Sequence, residues 1–393
     1  MTGPTDPDRK PSPPAPRTEP DRAPAHPDMD PGRAGPDRAP SPPTPFSGPA
    51  LWTGPELADP GLTDPEQWQT RLSDTVLAEI DTALRETRRR DLTLLRLTAA
   101  DFPLPGLGAE LARLSGVLEH GRGFAVVRGL PVDRLGETAA STVFWGIGRH
   151  LGRPVPQNAD GLVLGHVRDT GRGLGDPAVR CYQTREALPF HTDPTDLLAL
   201  LTLRTPRTGG RVSLVSSAAV HNAVLDLRPD LAGRLYGTYH FDRRGEHAPG
   251  EPPCTKAPLV SRREGPAGAP GMRYNRCYLE SAQRFPEVPR LEPADRELFD
   301  LIDSVAASPE HRLDLDLRAG DLLLLNTHRV MHARTAFEDH GPPERARHLL
   351  RLWLAFPQGP GSQDTHPWVT LRDVIRPRGG AAPHATNARR HLA

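Results

Sequence analysis

The chain has 393 residues, with 49 basic and 49 acidic side chains, so its formal net charge is zero. No global basic field recommends a nucleic acid or an anionic membrane as partner, and the longest apolar runs, five to seven residues, fall far short of the ~20 that span a bilayer. The three cysteines, Cys181, Cys254 and Cys277, are odd in number and lack metal-knuckle spacing, which excludes a disulfide framework and a structural zinc site and points to a reducing cytoplasm.

Sixteen of the first fifty residues are proline, interleaved with Asp, Arg, Ala and Ser. Such a segment buries too little apolar surface to offset its ordering, so residues 1–50 are expected to form a disordered tail. Their seven acids, six bases and lack of an apolar run match neither a secretory signal nor a transit peptide. From Asp64 the pattern changes: Leu72, Val76, Ile80 and Leu84 recur every four residues, and Leu107, Leu111, Leu114 and Leu118 mark a second amphipathic helix. Gly123 to Gly129 reads as a short buried strand between glycine breakers, and helix returns from about Leu135 to Leu151.

Beyond Gly152 short strands separated by turns are predicted at 161–168, 179–184, 188–193, 197–204, 211–217, 235–242, 272–279, 313–317, 321–326 and 347–356. A late helix from Pro293 to Ser308 interrupts them. No composition break divides the middle of the chain, so residues 51–375 are expected to be one domain of α+β, mainly β class, a barrel core jacketed by helices, followed by a flexible tail at 376–393.

The stretch from Leu188 to Asp193 carries the chemistry. Alternate side chains of a strand share a face, so His191 and Asp193 emerge together while Thr192 turns away. His-x-acid occurs three times, at His26/Asp28, His191/Asp193 and His240/Asp242; the second is bracketed by buried-strand sequence. Two imidazoles and a carboxylate on one face leave coordination positions open, which suits iron(II); zinc is held by similar sets. The third ligand must come from far along the chain, with His332 the leading candidate and His328, four residues away, its rival. In the strand at 347–354, alternation puts Arg347, Leu349, Arg351 and Trp353 on one face. Four residues of strand span ~13 Å, so the two arginines serve different anionic groups.

These residues together resemble the taurine dioxygenase (TauD/TfdA) family of iron(II)- and 2-oxoglutarate-dependent oxygenases. The likeness rests on His191-x-Asp193, His332 before Ala333-Arg334, and Arg347-x-x-x-Arg351, and it extends from about Leu51 to Phe356. It implies a double-stranded β-helix (jelly-roll) core, with His191, Asp193 and His332 holding iron(II), and Arg347 pairing with the distal carboxylate of 2-oxoglutarate. The implied reaction consumes O2, converts 2-oxoglutarate to succinate and carbon dioxide, and hydroxylates a C–H bond of a small anionic or amino-acid-like molecule. Relatives place Thr or Ser two residues after the Gly209-Gly210 pair to bind the co-substrate. Here that position is Val212, and Ser213 beside it, of opposite strand parity, is the candidate replacement. Arg351 is expected to reach the substrate, with Arg180 and Asn275 either lining the pocket or serving structure. Two other readings stay open: a barrel that binds metal or a small molecule without turnover, and a zinc hydrolase, for which no general base is in evidence. The oligomeric state is not fixed, and a homo-oligomer is compatible with everything above.

Overall fold

The run Leu197–Arg204 shows no polar alternation because both of its faces are covered. In a computed structural model describing residues 43–158, 160–173, 179–247, 250–262, 270–356 and 384–385, this strand is central in the larger of the two main sheets. It lies between Leu322–Asn326 and His348–Ala355, which are flanked in turn by Phe124–Arg128 and Leu162–Val167. The smaller sheet runs Leu313–Leu315, Val212–Ser216, Val330–Arg334, Leu188–His191, antiparallel throughout.

Strand periodicity divides the apolar residues among three layers. Leu198, Leu200, Leu323, Leu325 and Trp353 meet Val212, Leu214 and Val330 between the sheets. On the outer face of the larger sheet, Leu197, Ala199, Leu201, Leu324, Leu350 and Leu352 receive the helices Asp74–Arg89, Pro105–Glu119 and Val132–Leu151. The outer face of the smaller sheet is covered by Ser217–Leu227 and Pro293–Ala307. This is a jelly-roll core with flanking helices, as expected. No helix among the described residues is long and apolar enough to cross a membrane. Leu201 is fully buried beneath the helical layer; Leu201→Ala should cost about 2–5 kcal/mol of stability, read as a lower urea midpoint at unchanged slope.

Several expectations are corrected. The folded body reaches back before Leu51, since Phe46 and Ala50 are buried and Phe46 pairs through its backbone with Asn222; residues 1–42 lie outside the described residues. His384–Ala385, expected in a frayed tail, pair in parallel with Leu162–Val167. The strand expected at 179–184 is instead a single turn, Cys181–Gln183, closed by Thr184 donating through its amide and hydroxyl to the Cys181 carbonyl. The strand expected at 272–279 stops at Met272, because Asn275 accepts from the Tyr278 amide and starts the helix Arg276–Ser281. The helix Ser217–Leu227 was not anticipated: its buried residues are mostly small, so their periodicity is weak, although Ser216 caps it by accepting from the Ala219 amide at 3.1 Å.

Candidate active site

The smaller sheet brings together two histidines 141 positions apart in number. Val330–Arg334 pairs antiparallel with Leu188–His191 so that His332 is the direct cross-strand partner of His191. Opposed residues project to the same face, and the two rings lie 4.2 Å apart between centroids. Asp193 follows just past the strand end, its Oδ1 3.8 Å from His191 Nε2. His191 Nδ1 lies 2.9 Å from the Pro189 carbonyl, which only accepts. The proton therefore sits on Nδ1, and Nε2 presents a lone pair toward Asp193. His328 is excluded from this cluster, its Nε2 being held by Asp196 at 3.0 Å.

Burial alone would raise the Asp193 carboxyl, but Arg351, His332 and His191 outweigh it and hold it below the ordinary carboxylate value. Trp353 Nε1 donates to its Oδ2 at 3.1 Å. His332 is pushed down to about 3, by burial first and then by His191, so it stays neutral, and its buried Nδ1 has no hydrogen-bond partner among the described residues. A carboxylate, two imidazoles and an orphaned ring nitrogen fit a divalent metal that prefers mixed nitrogen and oxygen ligands. The cluster is gathered by strand register rather than by contacts among its members, as suits lone pairs that repel until a cation sits between them.

These side chains line a cleft of about 780 Å³ that also takes in Tyr182, Val212, Asn275, Tyr278, Arg334, Arg347, Leu349 and Arg351. Arg347 is buried; burial and then Arg334 push it down to about 9, so it remains charged at neutral pH, and its Nη1 has no hydrogen-bond partner among the described residues. Arg334, pushed down to about 10 by burial, donates to the carbonyls of Thr184 and Glu186. Both guanidiniums sit about Phe337, 4.8 and 5.0 Å from its ring centre. Among the described residues neither forms an ion pair. Two buried cations without a counter-ion call for an anionic ligand. Gly210, at φ +71, stands against this pocket: a Cβ there would meet Pro206 Cγ at 2.9 Å and Arg347 Nε at 3.3 Å. Gly210→Ala is therefore expected to weaken 2-oxoglutarate binding several-fold while leaving metal affinity unchanged, which calorimetric titration of each would read.

Arg351 stands opposite Asp193, its Nη1 4.0 Å from Oδ2. Its Nε donates to Gln157 Oε1 at 2.7 Å, and its guanidinium lies over Tyr182 at 4.2 Å and Trp353 at 4.8 Å. Gln157 is fixed in turn by donating to the carbonyls of Val163 and Arg351. A second lobe of about 620 Å³ adjoins this end, lined by Arg180, Asn275 and Tyr278 in common with the first and by Arg243, Arg244, Glu246 and Arg273. Arg180 pairs with Glu246, and Asn275 enters the cleft from a helix cap rather than from a strand.

Ser213 is not brought to the site. Its hydroxyl donates to Asp314 Oδ1 at 2.6 Å, and Val212 lines the cleft in its place, as the period of two dictates. Arg334 and Gln157 were missed by sequence reasoning. Strand parity from His332 would have put Arg334 on the same face, whereas nothing in the sequence connects Gln157 to Arg351, 194 positions away.

The model of the taurine catabolism dioxygenase TauD, TfdA family matches residues 88–353. The chain belongs to this family. The chain is a dioxygenase, and all the residues from His191 to Arg351 that build the cleft floor fall inside the match. The FR-33289 synthase of Streptomyces rubellomurinus is 33% identical to this dioxygenase over 311 residues, covering 78% of this chain and 91% of that one. A taurine hydroxylase-like protein of Stachybotrys chartarum is 30% identical over 298 residues, covering 74% and 76%. Among solved structures, an asparagine oxygenase in complex with Fe(II), 3-hydroxyasparagine and succinate aligns with a TM-score of 0.59 at 15% identity, over 73% of this chain and 93% of that one. A non-heme iron oxygenase, OrfP, in complex with Fe and α-ketoglutaric acid aligns at 0.53 and 20%, over 73% and 94%. These last two share the dioxygenase's fold.

Proposed function

We propose that this dioxygenase holds ferrous iron between His191, Asp193 and His332, binds 2-oxoglutarate through Arg347, and hydroxylates a C–H bond of a small anionic or amino-acid-like molecule. The observation that carries the reading is the register His191↔His332, with Asp193 beside the pair and the Arg347 guanidinium in the same cleft. Bound together, iron(II) and 2-oxoglutarate would use O2 for oxidative decarboxylation to succinate and carbon dioxide, one oxygen atom entering succinate and the other the substrate.

The protein's part is to hold charge and exclude water. Trp353 and Arg351 fix the Asp193 carboxylate, one by donating to Oδ2 and the other by its charge. Arg347 and Arg334 form the cationic end, where a distal carboxylate would restore the counter-charge both lack. Gln157, Tyr182 and Trp353 hold Arg351 at the other side of the iron ligands, toward the lobe lined by Arg180, Arg244, Arg273 and Asn275. That lobe suits a substrate with an anionic or amino-acid head group, in keeping with the hydroxyasparagine and hydroxyarginine named with the structural relatives. Among the described residues Asp193 is the one carboxylate lining the main cleft, so none there offers a second acid as general base for a zinc-bound water, which argues against hydrolysis. Three free thiols fit a reducing compartment, and we place the enzyme in the cytoplasm.

Anaerobic addition of iron(II) and 2-oxoglutarate to metal-free enzyme should produce a visible charge-transfer band, and a screen of amino acids and small anions should raise succinate release above the uncoupled background. A fully metallated sample with no band would sink the reading.

A further inference from the structure

A second grouping of ligand side chains lies on the outer face of the larger sheet, away from the cleft. His166 stands opposite Leu350 in the sheet register, which makes it the diagonal neighbour of His348. The rings stack 5.0 Å apart between centroids, and His166 Nδ1 lies 2.8 Å from His348 Nε2. Above them, Gly136 at φ +71 interrupts the helix Val132–Leu151, and the next residue, Glu137, sets its Oε1 3.8 Å from His166 Nδ1 and its Oε2 3.4 Å from His348 Nδ1. Among the described residues this is the set of three whose ligand atoms all fall within 4.8 Å of one another.

We infer that Glu137, His166 and His348 form a second metal site, for a divalent ion of zinc's class, separate from the catalytic cleft. Zinc–ligand bonds of about 2.0–2.1 Å in a tetrahedron put neighbouring ligand atoms about 3.3 Å apart. The measured 2.8 and 3.8 Å straddle that value, so small side-chain adjustments close the site. The His348 side chain is 1% exposed and that of Glu137 45%, which gives one rigid anchor and one open side for the ion and a water ligand.

The two facing ring nitrogens share a single proton when no ion is present. Loading displaces that proton to the far nitrogen of its own ring, so that both imidazoles bind as neutral ligands. Arg204 is the cation that serves the cluster without metal, its Nη2 3.0 Å from His348 Nδ1 and 4.0 Å from Glu137 Oε2. Its Nε donates to the Ala346 carbonyl at 3.1 Å, so with 35% of the side chain exposed it gives up that bond and the His348 contact to solvent as the ion enters. The ion ties the helix Val132–Leu151 to two sheet strands, directly behind the residue that follows Arg347. Its role is structural and does not depend on the assignment of the active site.

The test is cobalt(II), a spectroscopic stand-in for zinc, titrated into the full-length His191→Ala/His332→Ala variant. One equivalent should bind with visible d–d absorption, and adding His166→Gln or Glu137→Gln should weaken it at least tenfold. No binding in the double variant, or binding indifferent to both further substitutions, overturns the proposal. Should the double variant not fold, the unsubstituted chain serves: two equivalents are expected, falling to one in His166→Gln, and one in both overturns it.

Discussion

His332→Ala is expected to abolish tight iron binding and turnover while the chain stays folded. Substitutions in the outer shell of a metal site already cost roughly 10- to 100-fold, so loss of a direct ligand should exceed about 100-fold in both metal affinity and kcat/KM. The comparison that gives the result meaning is His328→Ala. His328 is tied to Asp196, outside the cleft lining, so its loss should leave iron affinity near the unsubstituted level. Iron titration of the two variants, each checked by circular dichroism, separates a ligand from a structural histidine. Retention of stoichiometric iron by His332→Ala would mean that the cross-strand register places the ring there for packing alone.

The second large effect concerns Arg347, just before the strand His348–Ala355, and Arg351 within it. Arg347→Ala should raise the KM for 2-oxoglutarate, since truncating one partner of a buried charge pair costs on the order of 2–5 kcal/mol, roughly 30-fold to a few thousand-fold in affinity. Arg347→Lys should recover little, because an ammonium replaces the bidentate fork by a point charge. Arg351→Ala should instead raise the KM of the primary substrate and loosen Asp193, with a smaller effect on 2-oxoglutarate. Steady-state kinetics varying each substrate in turn reads both outcomes, and the opposite pattern would show the two roles interchanged. The Arg334 side chain shares the cationic end, so Arg334→Leu combined with Arg347→Ala should be non-additive if both face one carboxylate.

Much of this site was legible because strand geometry has a period of two. That period puts His191 with Asp193, separates Arg347 from Arg351 by one strand span on one face, and warns that Ser213 turns away from the position Val212 occupies. The run Leu197–Leu203, apolar except for Thr202, likewise announces a strand covered on both faces. Where the signal was local hydrogen bonding by a single polar side chain, it was lost: Asn275 capping Tyr278 and Thr184 closing the Cys181–Gln183 turn both defeated a strand reading.

What the sequence by itself determined about this protein is therefore its layer architecture, the two halves of the candidate metal set and the arginine strand, since each depends on spacing along one continuous segment. Only the tertiary structure decided between His332 and His328, joined Gln157 to Arg351, added Arg334 to Arg347, and assembled Glu137, His166 and His348 on the opposite face of the sheet. The reason is physical: register between strands is set by the packing of the whole sheet, not by any one strand, and a one-residue slip would have turned the strand residues among these, His332, Arg334, Arg351, His166 and His348, to the other side.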